Sequence, residues 1–207
     1  MAQESNISEN ARESQATEHK GSGFAVSNAQ WYIAECKPTR ERTIREMLKK
    51  VGYEVYVASQ TEKHRYKSGN TRTVEHIILP GKVFVRTEEA NLVSIMTSFS
   101  SVYRFQLNRA AAEDKYGNKP FAFVPTADMN RLMDFLQKSE KPVVITDIKF
   151  KLDQEVKVVS GPLAGFEGRF YREGSATYIV IKVALGSNHY AYTEVSIKDI
   201  QPMGNKS

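Results

Sequence analysis

The sequence has little cysteine and no long hydrophobic run, and each shortage excludes a class of protein. One cysteine, Cys36, stands among 207 residues, which excludes a disulfide framework and a thiolate-rich zinc or iron–sulfur site. No apolar run reaches the roughly 18 residues that a membrane-spanning helix needs. The first residues are polar and acidic rather than basic and then apolar, so no secretory signal is predicted. We therefore expect a cytoplasmic protein without membrane contact.

Patterns for catalysis and for cofactor binding are also missing. The four histidines are scattered, with no carboxylate or sulfur at the spacing of metal ligands. Gly81 and Lys82 do not form a phosphate-binding loop, because His76 stands where the first glycine belongs and Val83 replaces the required Ser or Thr. Cys36 lies in a predicted strand without a base partner, so buried packing is expected. The sequence predicts no enzyme activity, no cofactor and no metal.

Basic residues are concentrated in one part of the chain. The 29 Lys and Arg exceed the 24 Asp and Glu only modestly, giving a net charge of +5. The excess lies in residues 29–137, where 17 cations face 12 acids, whereas residues 1–28 carry four acids and two cations. Residues 1–28 also hold few large apolar side chains, too few to offset the entropy of ordering, and are predicted to be a disordered tail.

A basic stretch falls within a predicted β-hairpin, Glu62 to Pro80, whose polar turn lies at residues 68–70. No acid occurs between Lys63 and Val74. Cations beside an aromatic ring suit phosphate contact with base stacking, as on single-stranded nucleic acid. The alternative is a solvated edge that is kept charged to prevent strand addition. The candidate residues are Lys63, His64, Arg65, Tyr66, Lys67 and Arg72.

Residues 29–137 predict an α+β sandwich. Trp31 to Ala34 form a short apolar run typical of a buried strand, and Ile44 and Leu48 belong to a helical stripe. A third helix is expected to be capped by Thr126. The predicted order, β-α-β-β-β-α-β-α, implies a mixed sheet that is covered by helices.

The remaining chain predicts a linker and a small all-β unit. Residues 138–150 contain Pro142 and no helical stripe, but they are apolar enough that part of the linker is expected to pack against a neighbour. From Lys151 to residue 203, short alternating segments are separated by glycines, which is typical of a small closed barrel. The last predicted strand covers residues 195–200, and residues 204–207 form a short tail.

Four strings resemble a known family. DQEVKVVSGPLAGFEGRF (residues 153–170) resembles a KOW motif, and residues 181–202 resemble the rest of a KOW barrel, an SH3-like fold. WYIAECKP (residues 31–38) and ILPGKVFV (residues 78–85) resemble the NGN domain of the NusG family. A lone KOW motif also occurs in ribosomal proteins, but the pair in this order covers about residues 29–203. The chain thus resembles a NusG family transcription factor.

The resemblance implies that the N-terminal domain binds RNA polymerase. It places Tyr32, Leu79 and Phe84 near an apolar depression on the sheet, and Lys82 at its rim, where relatives commonly carry an aromatic residue. Glu35 is able to pair with Lys82 across the sheet. The alternative is that the three apolar residues are simply sheet core.

The resemblance gives the barrel a second partner. Residues after a glycine–proline pair present an apolar face to a ribosomal protein or a termination factor, which makes Leu163 and Phe166 the candidates here. Phe166 is equally suited to the barrel core. The basic stretch would contact nascent RNA or non-template DNA, and the protein is expected to be a monomer.

Three departures favour a specialised paralogue of the UpxY/RfaH type: the N-terminal tail, Lys82, and the long connection Asn108 to Pro120. Such antiterminators suppress pausing and termination on long operons, including surface-polysaccharide operons. The alternatives are a general NusG-type elongation factor and a ribosome-associated KOW protein that binds RNA. One relative stores its C-terminal domain as a helical hairpin, but five glycines between Gly161 and Gly186 predict a persistent β fold here.

Overall fold

The protein is described from a computed structural model over residues 28–65, 69–147, 154–185 and 188–203. The first part is α+β, as predicted, and its described residues form β-strands and three α-helices. Its elements are β1 (Gln30–Cys36), α1 (Glu41–Lys50), β2 (Glu54–Tyr56), β3 (Ser59–Arg65), β4 (Thr71–Ile77), β5 (Lys82–Thr87), α2 (Leu92–Ser98), β6 (Val102–Phe105), β7 (Phe123–Val124) and α3 (Thr126–Lys138).

The main sheet has the order β2-β5-β1-β6, and β7 also pairs with β1. All of these pairings are antiparallel. The central strands β1 and β5 are buried on both faces, which explains why their sequences are apolar runs rather than strict alternations. One face packs against α1 and α2, and the other packs against α3.

Two local predictions need correction. Strand β6 was missed, because its burial pattern is buried-exposed-exposed-buried and not the alternation that identifies a half-buried strand. Thr126 does not cap α3: the helix begins at Thr126, Pro125 is the N-cap residue, and no side chain makes a capping hydrogen bond. In α1, Ile44 and Leu48 are buried as predicted.

The second part is all-β, as predicted. Its elements are β8 (Val144–Thr146), β9 (Glu155–Val158), β10 (Glu167–Glu173), β11 (Ala176–Ala184), β12 (Asn188–Glu194) and β13 (Ile200–Pro202). They form one antiparallel sheet in the order β13-β9-β10-β11-β12-β8, with β13 and β8 at its edges. The strand predicted at residues 195–200 begins only at Ile200, because a 3-10 turn occupies Ile197–Asp199.

The two parts share one hydrophobic core. Buried side chains of α3, including Leu132 and Phe135, lie in the same cluster as Ile179 and Ile181 of the second sheet. The rings of Phe135 and Phe166 are 5.4 Å apart, centre to centre, in an edge-on arrangement. Strand β8 lies within the segment predicted as a linker, and its pairing with β12 extends the second sheet. Packing therefore couples the α+β part to the β part.

Candidate functional site

The first candidate surface lies at the margin of the sheet face that packs against α3, the face turned away from α1 and α2. In the β1–β5 register, Glu35 faces Lys82 and Ile33 faces Phe84. Because side chains alternate along a strand, Lys82 and Phe84 lie on the same face. Leu79 joins Ile33 and Phe84 in one core cluster. The structure therefore brings Leu79, Lys82 and Phe84 together, with both apolar side chains buried.

Tyr32 does not join this group. It alternates with Ile33 and packs into the opposite cluster, with its ring 6.5 Å from that of Phe105. Burial, with a smaller contribution from the charge of Glu89, raises the pKa of Tyr32. A partner that docks on the Lys82 face cannot touch Tyr32 in this structure, since the sheet lies between them.

The rim of the candidate surface is an ion cluster centred on Glu35. Lys82 Nζ lies 3.5 Å from Glu35 Oε1, as the sequence suggested, and Arg104 Nε donates to Glu35 Oε2 at 2.6 Å. Burial alone would raise the pKa of Glu35, but the bond from Arg104 and the charge of Lys82 outweigh it and lower the pKa. Arg104 comes from β6, the strand that sequence patterns missed, so no signal pointed to it.

A proline–glycine turn holds Lys82 in position. Gly81 has φ +75°, and its N–H donates to Oε1 of the buried Glu41 at 2.6 Å. The carbonyl oxygen of Gly81 accepts from the Cys36 N–H at 2.9 Å. Sequence reasoning missed Glu41, because a glutamate in the first helical turn is ordinarily a solvated residue that interacts with the helix dipole.

Replacing Gly81 by alanine is expected to lower the free energy of unfolding by about 1 to 3 kcal/mol, since an L-residue is strained at positive φ. An added Cβ would also lie 3.0 Å from the Cys36 carbonyl oxygen. Denaturant unfolding measures the loss. Gly52→Ala is the matched control, because Gly52 also has positive φ but has open space around its Cα. Equal losses in the two variants would show that the close contact contributes nothing.

Cys36 is buried and is expected to be unreactive. Burial, and secondarily the negative charge of Glu41, raises the pKa of the thiol to about 11. The thiolate is the reactive form, so at pH 8 the folded protein should react with iodoacetamide at least tenfold more slowly than the urea-unfolded protein. Mass spectrometry of the alkylated peptide measures this. Equal rates would contradict the burial of the thiol.

The second candidate surface is the β3–β4 hairpin, which forms a separate two-stranded sheet. Its backbone register pairs Lys63 with Thr73, His64 with Arg72, and Arg65 with Thr71. The structure thus brings four of the predicted nucleic-acid contacts onto adjacent strands near one end of the hairpin. Tyr66 and Lys67 lie outside the described residues.

A polar clamp, formed by Glu75, Arg42, Arg45 and Ser59, fixes the base of this hairpin to α1. Glu75 accepts from Arg42 Nε at 2.7 Å, from Arg45 Nη1 at 2.9 Å and from Ser59 Oγ at 2.7 Å. Arg42 also donates to the Glu75 carbonyl oxygen. Burial alone would raise the pKa of Glu75, but these hydrogen bonds and charges lower it to about 2. The hairpin therefore leaves the body of the protein in a defined direction.

The third candidate surface, in the connection between β9 and β10, is partly covered by α3. Leu163 is buried, and Phe166 packs edge-on against Phe135 with Lys138 Nζ 5.7 Å from its ring centre. Leu163 also lines an open groove of about 470 Å³ together with Ile197, other residues of the second part, Lys138 of α3, and Glu140 and Lys141 that follow it. The two predicted contacts are close in the chain: Leu163 is buried at the wall of this groove, and Phe166 is half-buried against α3.

Two kinds of feature are missing from the described ranges. Within them, no three His, Cys, Asp or Glu side chains come close enough together to hold a metal ion. None of the helices in those ranges combines the length and apolar character needed to cross a bilayer. The described residues offer three candidate contact surfaces, and cations lie at each of them.

Comparison with known proteins places this α+β part in a family. A family profile described as transcription termination factor NusG matches residues 29–152. No curated protein sequence matches the chain. A structure of Thermotoga maritima NusG, described as a study of domain interaction, aligns with a TM-score of 0.48 and 17% identity, over 85% of this chain and 98% of that one. Conformation A of the MjSpt4:Spt5 complex aligns with a TM-score of 0.26 and 10% identity, over 84% and 97%.

The fold defines a two-part protein, an α+β sandwich followed by a small β-sheet unit, that presents contact surfaces. The family profile covers more than half of the chain and all of the α+β elements. The chain belongs to the NusG family of transcription factors. This confirms the family resemblance that the NGN-like strings predicted; the profile ends at residue 152, before the KOW-like strings.

Proposed function

We propose that this protein binds RNA polymerase through its α+β part and suppresses pausing and termination on specific long operons, such as surface-polysaccharide operons. Membership of the NusG family carries the proposal. The barrel would recruit a second partner, a ribosomal protein or a termination factor, through Leu163 and Phe166. No enzymatic step is involved, because the protein would act by bridging its partners.

The polymerase contact is proposed on the face of Leu79, Lys82 and Phe84. Phe84 is fully buried and supports the sheet, whereas Lys82 and Glu35 keep about a quarter of their side chains exposed. A partner would therefore contact the charged rim, with the apolar side chains buried beneath it. Tyr32 would contribute only indirectly, by packing on the other face.

Polymerase binding tests this contact. Lys82→Gln removes one charge of the rim without emptying the core, and we expect it to weaken capture of core RNA polymerase about tenfold, by about 1.4 kcal/mol. Phe84→Ala should abolish capture, and its thermal unfolding would be measured in parallel. Lys50→Ala, an exposed cation on α1, is the control and should bind normally. Normal capture by both Lys82→Gln and a folded Phe84→Ala would refute the contact.

The hairpin is proposed to contact nascent RNA or non-template DNA. Cations on adjacent strands can neutralise neighbouring phosphates, and each charge contributes about 0.7 to the salt slope on single strands. Four cations would give a slope near three. The observation favouring this role over a charged sheet edge is the clamp around Glu75, which fixes the hairpin's direction. Binding of stalled elongation complexes without salt dependence would refute it.

A transcription assay separates the specialised role from that of a general factor. A reporter behind a terminator on a long operon leader should show readthrough only when the protein is present. Readthrough on every leader would indicate a general elongation factor instead. The long, internally bonded connection between β6 and β7 favours the specialised role, since it adds surface that the sheet does not need. Equal readthrough with and without the protein would refute antitermination.

A further inference from the structure

A further cationic surface lies at the β6 edge of the main sheet. The sheet order places β6 at one edge and β2, from which the chain continues into the basic hairpin, at the other. Residues 106–122, which join β6 to β7, fold back on themselves through a bridge between Leu107 and Phe121. The hairpin does not account for this surface, which shares Glu35 and Arg104 with the rim of the first candidate surface.

The tip of the 106–122 connection is built by its own hydrogen bonds. Asp114 Oδ1 accepts from the N–H groups of Tyr116 and Asn118, both at 2.8 Å, and Gly117 takes φ +81°. These bonds lower the pKa of Asp114. Its carboxylate is therefore charged but already engaged by the loop. The result is a defined turn that holds Tyr116 outward, 75% exposed, with Lys115 Nζ 4.8 Å from its ring centre.

A groove lies at the base of this connection and is rich in cations. Its volume is about 440 Å³, and Arg104, Arg109 and Lys119 line it together with Glu35. Lys119 Nζ donates to the carbonyl oxygens of Arg109 at 2.8 Å and Ala111 at 3.2 Å, which fixes the ammonium group at the groove. The single acid in the lining, Glu35, is paired with Arg104 and Lys82. The lining is thus positive overall.

We propose that this groove and the Tyr116 tip together bind single-stranded nucleic acid. Cations in a groove that tracks the backbone, beside an exposed aromatic ring, are the combination that such strands require. Lys119 is both a groove residue and a near neighbour of Tyr116 in the chain, so phosphate contacts and a stacking platform lie within a few nucleotides of each other. The groove supplies the phosphate contacts, and Tyr116 stacks on a base.

An acidic peptide is the competing occupant, and Tyr116 argues against it. A peptide carboxylate would pair with the groove cations but would leave an outward ring at the tip unused. A nucleotide uses both parts of the site, because its phosphate pairs with the groove cations and its base stacks on the Tyr116 ring. The site also differs from the hairpin proposed above, since it lies at the other edge of the sheet.

Fluorescence anisotropy with the full chain tests the site. The probes are labelled 12-nucleotide single strands of RNA and of DNA with one sequence, and the matching duplex. We expect Tyr116→Ala to weaken single-strand binding about five- to tenfold, within the range for losing one stacked base. Tyr116→Phe should stay within about twofold of the original, since the ring is kept. Arg109→Ala should lower the salt slope by about 0.7, the contribution of one charge.

The controls separate this site from the rest of the protein. Lys50→Ala removes a distant exposed cation and should change the affinity less than twofold. Arg72→Ala should add to the effect of Tyr116→Ala rather than replace it, because the hairpin is a separate surface. The far-UV circular dichroism of each variant checks its fold. Tyr116→Ala should still capture core polymerase without nucleic acid, so failure here leaves the proposed polymerase contact standing.

Each result of the binding measurements either supports the proposal or overturns it. Tighter binding of RNA would assign the groove to a transcript, and tighter binding of DNA would assign it to a displaced strand, and both support the proposal. Preference for the duplex would overturn it. So would full competition by a hexaglutamate peptide that is also insensitive to Tyr116→Ala, since that result would assign the groove to an acidic protein segment. Unchanged affinity in the Tyr116 and Arg109 variants would likewise overturn it.

Discussion

Phe135→Ala is expected to lower the free energy of unfolding by about 3 to 5 kcal/mol, the range for truncating a fully buried phenylalanine. Phe135 is 0% exposed and lies in the cluster that joins α3 to the second sheet. Its ring also meets Phe166 edge-on. The truncation therefore removes a buried apolar side chain from the shared core and the ring contact between the two parts.

Denaturant unfolding followed by circular dichroism measures this loss. Because the original protein shares one core between its parts, it should unfold in a single transition. In Phe135→Ala the two parts should separate more easily and unfold in two transitions. Phe123→Ala is the control, since Phe123 is 50% exposed and its loss should cost less than about 1 kcal/mol. A loss below 1 kcal/mol in Phe135→Ala would contradict the shared core.

The same variant bears on the barrel's proposed partner. Phe166 packs against Phe135 of α3 in this structure, so a partner that uses Phe166 must displace this contact. Weakening that contact should raise the partner's apparent affinity, because less free energy is spent in opening it. Arg131, which donates to the Glu167 carbonyl oxygen, adds a second tie across the same boundary.

The sequence predicted elements well where local patterns decide them. Buried runs such as Trp31 to Ala34 and the spacing of Ile44 and Leu48 correspond to β1 and α1. The short segments between glycines correspond to β9 to β12. The Glu35–Lys82 pair was also predictable and is confirmed, since a cross-strand register follows once two strands and their turn are recognised.

The features that the sequence did not reveal are the long-range ones. Nothing local shows that Arg104 reaches Glu35, or that Glu41 is buried beneath the proline–glycine turn, because both contacts join segments 40 or more residues apart. The packing of α3 on the second sheet was equally hidden. An apolar stripe shows that Phe135 is buried, but it does not show which part of the chain covers it.

Glu75→Gln is expected to lower the free energy of unfolding by about 1 to 3 kcal/mol, the range for hydrogen bonds to a charged group. The amide keeps the size of the side chain but loses the charge that Arg42 and Arg45 bind. It also cannot accept all three side-chain hydrogen bonds in the present geometry. The hairpin should then be less firmly fixed to α1, and its backbone amides should exchange with deuterium faster than those of β1 and β5.

The stabilisation by Glu75 depends on pH, and the lowered pKa of this carboxyl group determines the direction. The pKa of Glu75 is lowered from 4.5 to about 2, so the unfolded chain binds the proton more tightly than the folded one. The stabilisation from the clamp is therefore fully present above about pH 4.5 and is lost as the pH falls towards 2. Glu75→Gln lacks this contribution throughout, so the two proteins should converge in stability as the solution is acidified.

Glu62→Gln is the matched control for the clamp. Glu62 lies on the same hairpin, but its side chain is 69% exposed and its partner is His76 at 3.3 Å. An exposed pair contributes about 0 to 1 kcal/mol, so this variant should unfold almost normally. If the hairpin contacts nucleic acid in the transcription complex, Glu75→Gln should also weaken the binding of nucleic acid to the hairpin, whereas Glu62→Gln should not. Equal stability of the two variants at pH 7 would show that the clamp does not hold the hairpin.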